Sequence, residues 1–300
     1  MMLKFDMFAI NTVAVILDAL PFLLAGSIIG TLIEIFLPEK LFRHKIFTRG
    51  APGFIIALLL GMLFPTCECG VIPIARKFAK KGLPQHLAVV YMLAAPVINP
   101  IVIISTFIAF RFSILMVAGR MAVSAAAAVA IGLALSGTKD IFRTTGVEDH
   151  DHDCFCGTDE IPAGERLPFL VKHSAGEFLE MSKYLIAGAI LASAFRIFAP
   201  KSVSIFFEQN IALSVLFMMA LAVMLSICSG ADAFVASSFM KFSPFAQLAF
   251  VTIGPVLGLK SIIMYSGTLK RRGLVLIAVI SAAFVFLITN IIALIAGQLL

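Results

Sequence analysis

Two short stretches interrupt apolar runs with residues that can do chemistry. In "FPTCECG", Cys67, Glu68 and Cys69 follow Pro65; in "CSGAD", Cys228 stands four residues before Asp232. Thiolates select soft metals and metalloids. If both stretches meet, Cys67, Cys69 and Cys228 offer three thiols to one trivalent centre. The competing reading makes each cysteine a small buried hydrophobe. A second pair of motifs is "AAPVINP", with Pro96, Asn99 and Pro100, and "IGPVLGLK", with Pro255 and Lys260. Proline cannot continue a helical hydrogen-bond ladder, so each motif opens a helix and frees carbonyls. Asn99 adds an amide and Lys260 a charge. Either motif alone could be a structural kink; two in corresponding places favour a central site.

A third cluster, "HDHDCFC", holds His150, His152, Cys154 and Cys156. In an extended segment these four share one face. Two imidazoles and two thiolates suit zinc, so the loop is a candidate site for a metal ion, the one cofactor the chain suggests. The competing reading is a solvated acidic loop in which the four residues fall together by chance.

The elements that must position these groups are membrane helices. The 300 residues are 61% apolar and 13% charged, with a mean hydropathy of +1.06. A soluble domain is about a quarter charged. Several apolar runs exceed the roughly 18 residues that mark a membrane span. Spans are expected near 8–37, 85–110, 112–136, 174–199, 244–267 and 273–298. Two shorter runs, 53–66 and 210–228, end at the cysteine breaks. The net charge of +6 then orients loops and gives no argument for nucleic acid. Five cysteines, four of them in two C-x-C pairs, do not make a disulfide framework. The expected partners are the lipid bilayer and a small-molecule or ion substrate; a homo-oligomer is left open.

Ionisable residues inside apolar runs are functional candidates by default. Besides Asp232 and Lys260 they are Asp18, Glu34, Arg120, Glu180 and Lys183. Asp232, next to the second break, is a candidate carrier of a coupling proton. Glu180 and Lys183 are spaced to pair with each other. Asp18 and Arg120 could make a structural ion pair.

The halves repeat. Cys69 to Pro96 and Cys228 to Pro255 have the same spacing, an offset of 159 residues, which also superposes the apolar segments. The expected division is a membrane repeat at 1–136, a polar cytoplasmic loop at 137–172 and a second repeat at 173–300. If each cysteine-bearing segment spanned the bilayer fully, Lys and Arg would divide ten against nine between the two sides. If 53–80 and 210–240 are hairpins, they divide fifteen against four. Only the second obeys the positive-inside rule. The expected fold is therefore all-α: a polytopic membrane helix bundle of two inverted repeats, each with about three spans and a re-entrant or broken helical hairpin. Irregular backbone at membrane depth survives only in contact with protein or a water-filled cavity, so both breaks should line a cavity.

The stretch "FPTCECGVIPIARKFAKKGLPQHLAVVYMLAAPVINP" resembles the signature region of the YraQ/ArsP-type permeases, and "ICSGADAFVASSF" followed by "LAFVTIGPVLGLKS" is similar to that family's second-half signature. The resemblance covers both repeats. It implies a multi-pass permease of the inner membrane, with one branch exporting trivalent organoarsenicals, and carries the family cysteines onto Cys67, Cys69 and Cys228. Glu68 stands where a small residue is more usual, and the loop is rich in His and Cys. Both departures leave the substrate open. No G-x-x-x-x-G-K-[ST] motif is present, so a secondary permease is expected rather than an enzyme. The alternatives are a permease for another small anion or sulfur compound, and a membrane thiol oxidoreductase using Cys67 and Cys69.

Overall fold

The computed structural model describes residues 2–36, 50–63, 66–138, 141–143, 166–198, 210–239 and 242–299. Twelve helices form among them, and no strand beyond a single bridge. In hydrocarbon every backbone polar group must be paired within the chain, and apolar sequence answers that demand as helix. The first half contains α1 (Met2–Phe36), α2 (Ala51–Leu63), α3 (Val71–Lys80), α4 (Gln85–Ala94), α5 (Pro100–Ala109) and α6 (Ile114–Leu135). The second contains α7 (Arg166–Phe198), α8 (Ile211–Leu225), α9 (Asp232–Ser238), α10 (Pro244–Leu257), α11 (Leu259–Thr268) and α12 (Arg271–Leu299).

The two sets of six match in order: one long helix, a broken hairpin, a broken span, and a final long helix. They also match in packing. α2 lies against α4 as α8 lies against α10; α4 against α6 as α10 against α12; α3 against α4 as α9 against α10. Between halves, α1 packs on α7 and α6 on α12, and α3 meets α11 as α9 meets α5. The two sets of six helices are thus packed alike.

Among the described residues three stretches are long and apolar enough to cross a membrane: Ile114–Leu135, Pro244–Thr268 and Arg271–Ile295. They take different places. The best apolar window of Pro244–Thr268 is 83% buried, against 22% for that of Arg271–Ile295. The broken span is thus the centre of the bundle, and the outer helices turn residues such as Val279, Leu287 and Leu294 outward. An exposed apolar surface of this kind is a lipid contact, and the protein is a membrane protein.

The spans sit close to where hydropathy places them. α7 begins at Arg166, earlier than the 174 expected for that span. The run 210–228 is helical only to Leu225, because Ser226 adopts a left-handed conformation (φ 46°). At 1.5 Å per residue its 15 residues reach about 22 Å, short of a full crossing.

Candidate functional site

Each hairpin turns on a cysteine. The Cys67 carbonyl accepts from the N–H groups of Gly70 (3.1 Å) and Val71 (3.0 Å), which starts α3. The Cys228 carbonyl accepts from those of Ala231 (2.9 Å) and Asp232 (3.0 Å), which starts α9. Cys67, not Cys69, is therefore the backbone counterpart of Cys228. The sequence offset of 159 becomes 161 at the breaks, because the outgoing arm is shorter in the second hairpin: α9 has seven residues where α3 has ten.

The proline motifs sit beside these turns. Pro96 lies buried in the turn between α4 and α5. Asn99 caps α5, its Oδ1 accepting from the Ile101 N–H at 2.9 Å, with Pro100 at the first helical position. That oxygen is committed to structure. Pro255 lies inside α10, whose ladder it interrupts, and the chain bends at Gly258 before α11. A Cβ at Gly258 would meet the Gly254 carbonyl at 2.8 Å and Ser226 Oγ at 2.9 Å. Glycine is required there because the second break leans on the kink. Ser226 Oγ accepts from the Lys260 N–H at 3.0 Å, so the break also caps α11.

Two buried ion pairs cross between the halves. Lys260 Nζ on α11 donates to Glu68 Oε1 of the first break at 2.7 Å, with both side chains at most 4% exposed. Arg120 on α6 donates to Asp232 Oδ2 on α9 at 2.7 Å, and both are 1% exposed. Arg120 also donates to Thr106 Oγ1 (2.7 Å) and to the Ser229 carbonyl (3.1 Å). Each pair joins an acid at one half's break to a base on the other half's scaffold. An isolated charge at this depth would be costly, and pairing is how membrane proteins retain one. The second carboxylate oxygen of each acid, Glu68 Oε2 and Asp232 Oδ1, is buried without a partner.

The thiols surround the first pair. Cys67 and Cys69 are buried and their side chains hydrogen-bond to each other. Cys228, half-buried, lies within electrostatic reach of Glu68, Lys260 and Cys67. All three thiols are free. The Tyr265 hydroxyl, buried and without a hydrogen-bond partner, lies within reach of Glu68, Cys69 and Lys260. Among the described residues no three His, Cys, Asp or Glu are arranged to hold a metal ion. The thiols would have to draw together around a guest.

Arg120 pairs with Asp232, and the side chain of Asp18 lies outside the described residues. Glu180 faces Arg76 of α3 at 3.5 Å rather than Lys183; nearby, Lys77 meets His173 of α7 at 2.7 Å. Spacing along one helix did not decide the partner of Glu180, because a neighbouring helix brought a better-placed one. His150, His152, Cys154 and Cys156 lie outside the described residues. Tyr265, Ser226 and Thr106 were missed, although a tyrosine within an apolar run is a signal, since its hydroxyl needs a partner when buried.

A family model described as "Predicted permease" matches residues 5–294. The chain belongs to this ArsP_1 family. The permease is also 36% identical over 293 residues to UPF0718 protein YcgR of Bacillus subtilis, covering 96% of this chain and 94% of that one. It is 30% identical over 264 residues to a Streptococcus mutans protein named "Putative two-component membrane permease complex subunit", covering 86% of each. No solved structure matches it. For the permease, irregular backbone at two buried breaks has a use: it puts thiols, charges and bare carboxylate oxygens in the centre of the bundle.

Proposed function

We propose that this protein is a secondary permease of the inner membrane that exports a thiophilic metalloid or metal species, such as a trivalent organoarsenical, by alternating access of two inverted halves. The observation that carries this reading is the gathering of Cys67, Cys69 and Cys228, from both breaks, around one buried ion pair. A trivalent arsenical with one organic group binds two thiols at a time by exchange: each S–As bond forms as the thiol proton leaves with an arsenic-bound hydroxyl as water, and a third thiol lets the arsenic move from one pair to another. Sulfur ligands suit such a soft centre. Thiols supplied by both halves would let the substrate be passed as the halves move. An anion permease is less well supported, because the two buried cations near the breaks are already matched by Glu68 and Asp232.

The test is resistance. A deletion strain carrying the wild-type gene should grow in phenylarsine oxide at concentrations that stop the empty strain. Cys67→Ser, Cys69→Ser and Cys228→Ser should each lose at least most of that protection at equal protein level. Full protection by all three variants would remove the thiol mechanism.

Inversion has its own check. Lys80 and Lys270 are exposed, and the charge balance puts both in the cytoplasm. Impermeant amine reagents should reach both from the cytoplasmic face only, and a cysteine placed at Arg111 from the opposite face. Labelling of Lys80 and Lys270 from different faces would end the inverted-repeat reading.

A further inference from the structure

We infer that the ion coupled to transport is the proton, and that Glu68 and Asp232 bind it. This goes beyond the choice of substrate and does not depend on it. Both acids bind one cation with one oxygen and leave the other oxygen buried and unpartnered. Both also tie the break of one half to a helix of the other half. Relative movement of the halves must part Glu68 from Lys260 and Asp232 from Arg120. Parting them as charges would strand four ions in a dry interior. A proton added to the bare oxygen removes the negative charge first. Lys260 then keeps a neutral acceptor until the cavity opens and water reaches it.

The surroundings favour a proton over a metal cation. Facing Glu68 are Lys260 and Tyr265 from α11, Cys67 and Cys69 from its own break, Cys228 from the other break, and Asp232 at longer range. Facing Asp232 are Arg120 from α6 and, at longer range, Glu68. A hard cation wants several oxygen ligands. Here the near neighbours are sulfur, ammonium, guanidinium and the single hydroxyl of Tyr265. One bare oxygen accommodates a proton, which needs only one.

The experiment uses the full chain reconstituted in lipid. Infrared difference spectra between about pH 8 and about pH 5 should show carbonyl bands of buried carboxylic acids that move in D2O. E68Q should remove one band, D232N another, and the double variant both. The charge-swapped E68K/K260E protein keeps the ion pair and the fold, and should still show an acid band, now from position 260. In liposomes holding a pH dye, phenylarsine oxide flux should be accelerated by a pH gradient in wild type and not in E68Q or D232N. Absence of any acid band removed by E68Q or D232N overturns the assignment, and so does flux driven by a sodium gradient at equal pH. Assigned acid bands without phenylarsine oxide flux support the proton sites while overturning the arsenical reading alone.

Discussion

Arg120→Met is expected to destabilise the protein by about 3–5 kcal/mol, the usual cost of leaving one member of a buried pair alone. Methionine keeps much of the stem length and none of the donors. It strands Asp232 and removes the bonds to Thr106 Oγ1 and the Ser229 carbonyl. Against a typical total of about 5–15 kcal/mol that is a large loss. The double variant R120M/D232L should recover most of it, because a well-packed apolar pair often matches a buried ion pair in stability. Thermal unfolding of purified wild type, both single variants and the double closes the cycle. Equal losses in R120M and R120M/D232L would show that Arg120 acts by packing and not by charge.

Gly26→Leu is expected to be nearly as damaging, by a different route. α1 packs on α3, and a Cβ at Gly26 would fall on the backbone of Gly70, its carbonyl oxygen and its Cα. Backbone does not yield as a side chain does. Overpacking costs about 1–3 kcal/mol, and this contact belongs at the upper end. Gly70 is the last residue of the first turn, so the displacement reaches Cys69 and Glu68 directly. Resistance should fall together with melting temperature, although Gly26 touches no substrate group. Gly26→Ala should be milder in both. A leucine variant with wild-type melting and wild-type resistance would show that α1 does not set the position of the break.

Those two sites also show what sequence reasoning reached and what it did not. Hydropathy placed the long helices because lipid leaves a chain few choices, and the cysteine breaks announced themselves as polar clusters at the ends of apolar runs. Glu68, Asp232, Lys260 and Arg120 were each found, since an ionisable residue within a span is conspicuous. Their partners were not. Pairing depends on which helices of different halves come together, and the distance from residue 120 to residue 232 carries no local signal. The Gly26–Gly70 contact is hidden for the same reason: a glycine in a long apolar helix reads alike whether it faces lipid or another backbone. The two-residue change of register at the breaks escaped because equal spacing to the prolines matches Cys69 with Cys228, while the backbone hydrogen bonds match Cys67 with Cys228.

The crossed ion pairs have a consequence for biogenesis. Glu68 and Arg120 are made in the first half; Asp232 and Lys260 follow more than a hundred residues later. Each half brings one acid and one base, so each enters the bilayer electrically balanced, yet neither holds the partner it keeps in the finished molecule. The interior of the first six helices therefore cannot close around its final counter-ions until the second half has been made.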